Sequence, residues 1–326
     1  MGNPLVTVAI LTFNGEKYLE EIFTKVSEQH FPHEFEILVI DSGSTDSTLN
    51  IIRSHQSVRL HEIPNTEFGH GKTRNLAAEL ARGEYIAFLT HDAIPAHEFW
   101  LSNLVAPLIL HPEVAGVLGK QAPRKNCVPM LKYEIQLAFS RQGANFGITL
   151  LNQHDVDFAS SFDKSAMLFY SDVNSATRVD FLRSVIPYKD VDYAEDQMFA
   201  EDFLSNGYSK AYSPQATVIH SNDLDLSEIG PRTFDEILAL RKLGHQLHAF
   251  SPLKFLGVIL KKTLGDTIRM VRDTELNGQI LIHWLFLNPM FIFRKWKAYN
   301  RACRVDFGDK ESISKSSLEA RKKAVQ

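Results

Sequence analysis

Short apolar runs alternate with amphipathic stretches over the first part of the chain. Four of these runs have the length of buried strands, and they lie at 5–11, 35–40, 58–63 and 85–89. The stretches between them repeat apolar residues at helical spacing, at 16–29, 45–55 and 72–81. Strands that alternate with helices in this way predict βαβ units. We therefore expect an α/β fold with a mainly parallel, Rossmann-like sheet flanked by helices.

The alternation becomes irregular beyond Pro95. We predict helices at 98–110, 129–139, 180–185 and 193–206, and strands at 114–118, 166–170, 173–178, 208–212 and 216–220. From Pro231 onward no strand pattern is left. The spacing of apolar residues there predicts three helices, at 232–249, 252–272 and 279–304.

Three regions follow from this change of pattern. Residues 1–225 are predicted to form the α/β domain, and residues 226–305 a C-terminal helical extension. Residues 306–326 are polar and contain a single aromatic residue, Phe307, so we expect a disordered tail.

The composition narrows the class of protein. The chain has 326 residues, of which 44% are hydrophobic, and this is enough to bury a large core. A net charge of -4 provides no overall positive field for nucleic acid. Cys127 and Cys303 are far apart and form no metal-binding pattern, which favours a reducing, cytosolic location. No apolar run reaches the roughly 20 residues of a membrane-spanning helix, and no signal-peptide features surround the apolar run 5–12.

Two aspartates stand at the carboxyl ends of predicted strands, where open α/β sheets bind their ligands. Asp92 follows the run 85–89, and Asp41 follows the run 35–40. In a nucleotide-binding sheet, a carboxylate in the place of Asp41 can accept the ring N–H of a pyrimidine. The alternatives are a helix cap for Asp92 and an Asp–Gly turn for Asp41.

Charged side chains at two predicted helix starts are further candidates. Gly71 allows a tight turn, and Lys72 and Arg74 add positive charge to a helix start that itself attracts anions. This pattern indicates either a diphosphate contact or a solvated basic helix face. Glu195 and Asp196 begin another helix, either as a general base or as an acidic cap of the first turn.

His220 ends the last predicted strand. A single histidine is usually structural, but an imidazole together with a carboxylate suits a partly open Mg²⁺ or Mn²⁺ site, which diphosphate oxygens complete. No GxGxxG follows the first strand and no GxxxxGK[ST] occurs, which argues against a dinucleotide-binding site and a P-loop.

Six segments together resemble the inverting glycosyltransferases of family 2, which have the A-type nucleotide-sugar fold. They are VAILTFNG (8–15), ILVIDSGSTD (37–46), HGKTRN (70–75), FLTHDAIP (88–95), AED (194–196) and VIHSND (218–223). Three details resemble the bacterial rhamnosyltransferase branch. They are the FGHGKTRN run, a TxDA motif in place of the usual DxD, and DVNSATR at 172–178.

The resemblance implies an enzyme of cell-surface polysaccharide synthesis. It would transfer a sugar with inversion from a nucleoside diphosphate donor, dTDP-L-rhamnose, to a hydroxyl of a saccharide acceptor. A divalent metal, Mg²⁺ or Mn²⁺, would assist, and the acceptor would be carried on a polyprenyl diphosphate lipid. Residues 1–225 would then be the nucleotide-sugar-binding and catalytic domain.

The same resemblance assigns roles to individual residues. Those that bind the donor would be Thr12, Asn14, Asp41, Gly71, Arg74 and Asp92. Asp92 would hold the metal with the help of His220. Asp196, with Glu195 beside it, would take the proton from the acceptor hydroxyl.

The sequence departs from the family pattern at two adjacent positions. Thr90 stands in the place of the first aspartate of DxD, and His91 stands where this branch usually has glutamine. Two alternatives therefore stay open. One is a nucleotide-sugar-binding or assembly module with weak or no catalysis. The other is a family 2 transferase that takes galactose or N-acetylglucosamine from a UDP donor.

Apolar and aromatic residues alternate with basic residues throughout 253–304. Helices of this composition suit the interface of an anionic bilayer. We therefore predict a cytoplasmic protein that attaches peripherally to the inner face of the plasma membrane. The alternative is that these helices form a cap on the catalytic domain or a dimer surface.

Overall fold

The computed structural model of the chain describes residues 3–158, 166–191, 193–222, 224–242, 244–318 and 320–321. Asp223, which ends one of the segments above, lies outside the described residues. The chain divides into two compact units. The first consists of residues 1–126 and 132–221, and the second of residues 127–131 and 222–326.

A mixed sheet forms the centre of the first unit. In the described residues its strands are β1 (Val6–Thr12), β2 (Phe35–Asp41), β3 (Val58–Glu62), β4 (Tyr85–Thr90), β5 (Ile94–Pro95), β6 (Val114–Ala122), β7 (Thr149–Leu151), β8 (Asn174–Arg178) and β9 (Ser209–Ile219). Their order across the sheet is β3-β2-β1-β4-β8-β6-β9-β5, and β7 pairs with β9.

The parallel half of this sheet confirms the predicted α/β fold. Strands β3, β2, β1 and β4 are parallel neighbours, and each is joined to the next by a crossover. Both faces of this half are covered, and for this reason its strands are apolar over nearly their whole length. Fully buried side chains such as Val8 and Ile10 belong to one core cluster, whereas Ala9 belongs to the other.

The other half of the sheet departs from the sequence prediction. Strand β8 lies antiparallel between β4 and β6. The two short strands predicted at 208–212 and 216–220 are one continuous strand, β9. The strand predicted at 166–170 is wrong. Residues 166 and 167 are helical, and the carbonyl oxygens of Met167 and Phe169 accept hydrogen bonds from the buried Lys210 Nζ instead of from a neighbouring strand.

Helices surround the sheet of the first unit. They are α1 (Leu19–Ser27), α2 (Thr48–Ser54), α3 (His70–Leu80), α4 (Trp100–Leu110), α5 (Pro129–Ser140), α6 (Gln153–Phe158), α7 (Val179–Ser184) and α8 (Glu195–Ser205). Helix α1 shows why these segments are helical. Its four buried residues, Leu19, Ile22, Phe23 and Val26, repeat at three- and four-residue intervals, so they share the face that packs on the sheet.

The second unit is helical, as predicted. Its helices in the described residues are α9 (Ile229–Lys242), α10 (Pro252–Arg272), α11 (Gly278–Arg304) and α12 (Lys310–Ser316). Helix α9 ends seven residues before the predicted end at 249, close to Gly244, which has a φ of 91°. A residue in this left-handed conformation commonly terminates a helix.

A helix also occurs in the tail for which we expect disorder. The Asp309 side chain caps α12 by accepting a hydrogen bond from the Ser312 amide at 3.0 Å. Leu318 is buried, and its amide donates to Asp235 Oδ2 at 2.8 Å. A cap and one buried apolar side chain thus accompany the helix in the described part of this polar segment, which composition alone does not indicate. Among the described helices of the chain, none has the length and apolar character that crossing a membrane requires.

Candidate functional site

The carboxyl edge of the parallel strands collects most of the predicted site residues. In the register of the sheet, Thr12 lies opposite Asp41, and Leu11 lies opposite Thr90. Asp92 stands two residues after the end of β4. Because parallel strands end at the same edge, residues distant in sequence become neighbours there, as we predict from the strand pattern.

Asp41 organises the loop that follows β2. Its carboxylate is fully buried and accepts hydrogen bonds from the amides of Gly43 and Ser44, at 3.0 and 2.9 Å, and from Ser44 Oγ at 2.5 Å. Gly43 has a φ of 85°, a left-handed conformation that suits glycine. The alternative interpretation of Asp41 as a turn residue therefore describes part of its role.

The loop after β1 is hydrogen-bonded to the loop that follows β2. The Asn14 amide donates to Ser44 Oγ at 2.8 Å, and Asn14 Oδ1 accepts from the Thr45 amide at 2.8 Å. The next amide, that of Gly15, donates to Thr48 Oγ1 at 2.8 Å. The two loops therefore form one hydrogen-bonded unit, and this places Asn14 in a structural role as well as at the edge of the site.

Thr12 Oγ1 is buried and has no hydrogen-bond partner among the described residues. Buried hydroxyl groups are nearly always paired, so an unpaired one indicates a place where a ligand or an ordered water binds. Thr12 is 3% exposed and lies beside Asp41 in the sheet register. This is the position at which the sequence analysis expects the nucleoside.

A second group forms around Asp92. Thr90 Oγ1 donates to Asp92 Oδ1 at 2.8 Å, and His220 Nε2 lies 3.3 Å from Asp92 Oδ2. Burial disfavours the ionised carboxylate, but His220, His91 and Thr90 outweigh it and hold the pKa of Asp92 well below its usual range. The threonine that replaces the first acid of DxD therefore orients and stabilises the acid that remains.

The donor atoms of this group fit a divalent cation. Gln121 Oε1 lies 2.9 Å from His220 Nδ1, so Nδ1 is the donor to Gln121 and Nε2 is the ring nitrogen that faces Asp92. Two acceptor atoms at 3.3 Å require a proton or a cation between them. The described residues contain no cluster of three His, Cys, Asp or Glu side chains for a metal. Asp92 and His220 would thus provide two ligands and leave most positions open.

Arg124 joins the two strands that carry this pair. Its guanidinium donates to the carbonyl oxygens of Asp92 and Ser221, and it lies 4.1 Å from the centre of the Tyr18 ring. The sequence pattern does not indicate a role for Arg124 or Gln121. A basic residue shortly after a strand was the only available signal for Arg124, and Gln121 gave none.

A third group surrounds Arg74 in the interior of the first unit. Arg74 Nε lies 2.9 Å from Asp172 Oδ2, and its NH1 is paired with Glu195 Oε1. Burial lowers the pKa of Arg74, but Asp172 and Glu195 outweigh it and raise that pKa above its ordinary value. Arg74, expected at a diphosphate, is thus paired with two carboxylates. Asp172 stands in the DVNSATR segment, to which we assign no role from the sequence.

Asp196 lies next to this ion-pair cluster. Its Oδ2 is 3.4 Å from the Asp172 amide, and its Oδ1 accepts from the Gln197 amide at 2.8 Å. Burial, followed by the charges of Glu195 and Asp172, raises the pKa of Asp196 to about 8. The residue as a whole is half-buried. A carboxylate of raised pKa that is not fully enclosed is suited to accept a proton.

Gly71 occupies a position that admits no side chain. A Cβ atom built there would lie 2.1 Å from the Lys189 carbonyl oxygen and 3.2 Å from Tyr188 Cβ. Gly71 therefore allows α3 to approach the segment that carries Tyr188, whose hydroxyl donates to Asp172 at 3.0 Å. The structure explains this glycine by packing.

The structure thus arranges the predicted residues in three groups within one unit. Thr12, Asn14 and Asp41 form the first group, Asp92 and His220 the second, and Arg74, Glu195 and Asp196 the third. The first two lie at the carboxyl edge of the sheet, and the backbone links the third to it, because the Thr90 amide donates to the Val173 carbonyl oxygen at 3.4 Å.

Known proteins of similar sequence include glycosyltransferases. The O-antigen chain rhamnosyltransferase RfbN of Salmonella typhimurium is 29% identical over 234 residues, which are 71% of this chain and 70% of that protein. The poly(ribitol-phosphate) beta-N-acetylglucosaminyltransferase TarS of Staphylococcus aureus is 36% identical over 90 residues, which are 26% of this chain and 16% of TarS.

Solved structures show the same fold. A mannosyltransferase of Pyrobaculum calidifontis, in complex with GDP-Man and Mn²⁺, has a TM-score of 0.53 at 19% identity, over 100% of this chain and 81% of that chain. The structure of TarS residues 1–349 with UDP-GlcNAc has a TM-score of 0.53 at 18% identity, and the match covers 95% of this chain and 79% of that chain. These likenesses confirm the predicted A-type fold. Residues 7–168 match the family model of Glycosyl transferase family 2, so the chain contains a domain of this family.

Proposed function

We propose that this glycosyltransferase moves L-rhamnose from dTDP-L-rhamnose to a hydroxyl group of a saccharide acceptor, with inversion at the anomeric carbon. The observation that carries this proposal is Asp196, a half-buried carboxylate whose pKa is raised to about 8 by burial and by the charges of Glu195 and Asp172. The similarity to a rhamnosyltransferase over 71% of the chain supports rhamnose as the sugar.

The three groups of residues supply the parts of such a transfer. Asp196 accepts the proton of the acceptor hydroxyl as its oxygen attacks the anomeric carbon from the face opposite the leaving nucleotide. Arg74 compensates the charge of Asp172 and Glu195, so these acids remain buried beside the base. Thr12 and Asp41 would bind the nucleoside, Thr12 through its unpaired hydroxyl.

The leaving diphosphate gains negative charge during the transfer. Asp92 and His220 would hold a Mg²⁺ or Mn²⁺ ion, with Gln121 and Thr90 fixing their orientation. Such an ion, when bound, supplies Lewis-acid stabilisation to the diphosphate oxygens. Mn²⁺ accompanies GDP-Man in the mannosyltransferase of the same fold.

The acceptor of this proposal is a growing cell-surface polysaccharide on a polyprenyl diphosphate lipid, which the protein would reach from the inner face of the plasma membrane. An O-antigen chain, the substrate that the name of the Salmonella relative indicates, is a polysaccharide of this class. The basic helical second unit supports a working position at an anionic lipid surface.

Asp196→Asn tests the catalytic assignment. The variant should lose about 10²–10⁴-fold in transfer rate and keep its affinity for dTDP, because Asp196 is assigned to the acceptor. Radioactive rhamnose transfer and titration calorimetry measure the two quantities. Asp202→Asn is the matched control, since Asp202 lies in the same helix and pairs with Lys189 at 2.7 Å. Normal turnover of folded Asp196→Asn would remove Asp196 from the mechanism.

A panel of donors tests the sugar. TarS, 36% identical over 90 residues, favours UDP-N-acetylglucosamine as a second candidate, so UDP-N-acetylglucosamine and UDP-galactose belong in the panel with dTDP-rhamnose. Faster transfer from a UDP-sugar would contradict rhamnose as the transferred sugar but would not affect the assignment of Asp196 as the base. Binding of a donor with neither transfer nor hydrolysis in Mn²⁺ would favour a non-catalytic binding module.

A further inference from the structure

Helix α10 exposes a continuous apolar stripe. Its members follow each other at intervals of three or four residues and therefore lie on one face: Leu253, Leu256, Leu260, Leu264, Ile268 and Val271. Leu253 is 85% exposed, and each of the others is more than 40% exposed. The stripe runs the length of the helix, about 30 Å for 21 residues.

The other side of α10 is the one that packs within the second unit. Met270 and Asp266 are its buried residues. Asn288 of α11 fixes the two helices together by donating from Nδ2 to the Thr263 carbonyl oxygen at 2.9 Å and to Thr267 Oγ1 at 3.1 Å. The apolar stripe is thus not the surface that holds α10 in the second unit.

Basic residues border the stripe. Each residue turns the helix by about 100° around its axis. On this basis Lys254, Lys261 and Arg272 lie about 90° around the axis from the centre of the stripe, all on the same side. Helices α10 and α11 each contain five basic residues, and their only acidic residue is Asp266, which is buried and lies 3.4 Å from Arg269. No carboxylate of these two helices therefore opposes an anionic surface.

The same charge pattern extends to the whole second unit. This unit contains 18 basic and 12 acidic residues, a net charge of +6, whereas the first unit contains 17 basic and 27 acidic residues, a net charge of -10. The chain as a whole carries -4. Positive charge is therefore concentrated in the unit that carries the exposed stripe.

We infer that the apolar stripe of α10 inserts into the interface of an anionic lipid bilayer, with the helix parallel to the membrane plane. Leucine side chains would enter the acyl boundary, and Lys254, Lys261 and Arg272 would reach the phosphate groups. Pairing with the same face of a second copy would instead bring two sets of basic residues together. The inference rests on the proposed function in one respect: membrane contact would give the enzyme access to a lipid-carried acceptor.

Vesicle co-sedimentation without any sugar donor tests this surface. The whole protein should bind phosphatidylcholine vesicles that contain about 30% anionic phospholipid, and binding should weaken when salt rises from about 0.05 M to 0.5 M. It should bind pure phosphatidylcholine vesicles much more weakly. Failure to bind anionic vesicles at low salt overturns the inference.

Two matched triple variants locate the contact. Leu256→Glu/Leu260→Glu/Leu264→Glu should lower the lipid partition coefficient by at least about a hundredfold, because three inserted leucines are lost. Ile109→Glu/Leu110→Glu/Val185→Glu, in the first unit, changes the charge equally at side chains of similar exposure and should keep binding. Equal loss in both variants overturns the assignment to α10.

Two further measurements separate this inference from its competitors. Asp196→Asn should bind vesicles like the unmodified protein, and the α10 variant should retain transfer to a water-soluble acceptor, so that failure of catalysis and failure of membrane binding are distinguishable. Analytical ultracentrifugation should show no dimer of the unmodified protein that is lost in the α10 variant. If such a dimer forms and the protein does not bind vesicles, the stripe is a contact surface for a second copy of the chain, and the inference is overturned.

Discussion

Ala194 has a left-handed backbone two residues before the proposed base, Asp196. Its φ is 59°, and Asn14, with a φ of 51°, is the other described residue besides glycine with a positive φ. Asparagine tolerates this conformation, but alanine adopts it at a cost of about 1–2 kcal/mol. Strain of this kind persists where the surroundings determine the backbone, and at Ala194 it sets the direction in which Glu195 and Asp196 leave the chain.

The raised pKa of Asp196 predicts how activity depends on pH. Because the ionised form is the base, the proposed transfer should become faster as pH rises from about 6 to 9, with a midpoint near the value of about 8. Glu195→Gln removes one of the charges that raise this pKa and should move the midpoint to lower pH. A rate that is flat across this range would contradict the role of Asp196.

The same pKa has a consequence for stability. A carboxyl group with a raised pKa is protonated in the folded protein at pH values at which it is ionised in the unfolded chain. Between about pH 4 and 8 the folded state therefore binds more protons, and the free energy of unfolding falls as pH rises. Asp196→Asn should remove the part of this dependence that Asp196 contributes, and urea unfolding of both proteins at several pH values measures it.

At the scale of elements, two helical glycines predict opposite effects of the same substitution. Gly71→Ala in α3 places a methyl group against the Lys189 backbone, whereas Gly265 in α10 has nothing within 4 Å of its built Cβ. Gly71→Ala should lower the free energy of unfolding by about 1–3 kcal/mol. Gly265→Ala should raise it by about 0.5–1 kcal/mol through helix propensity. Urea unfolding compares the two.

Gly71→Ala should also reduce transfer, because the displaced segment carries Tyr188, which holds Asp172. Unchanged stability and activity of Gly71→Ala would show that the approach of α3 to Lys189 is looser than the structure has it.

The sequence predicts those elements whose signal is local. Strands β1 to β4 are apolar runs between helices, so both their existence and the meeting of Thr12 with Asp41 follow from the pattern. The antiparallel insertion of β8 depends on pairing with β4 and β6, which are distant in the chain. The ion pair joins Arg74 to Glu195, which are 121 residues apart along the chain, so no local sequence pattern predicts it. For the same reason Gln121, which orients His220 from 99 residues away, was not predicted.

At the scale of the whole molecule, the two units differ in chemistry as well as in fold. The α/β unit carries the three groups of site residues and the negative charge, and the helical unit carries the apolar stripe and the positive charge. The main division of the structure lies between residues 221 and 222, whereas the boundary predicted from the sequence is 225. The assignment of donor binding to one unit and membrane contact to the other stays a prediction.

Opposite charge on the two units should also govern how the protein adsorbs to charged resins. An isoelectric point of about 6.4 describes the average of the chain, and a uniform protein of this kind would pass through a cation exchanger at pH 7. We expect this protein to be retained at low salt by both cation and anion exchangers, each through a different unit. Lys254→Gln/Lys261→Gln/Arg272→Gln should elute earlier from the cation exchanger alone, and passage of the unmodified protein through that column would contradict this expectation.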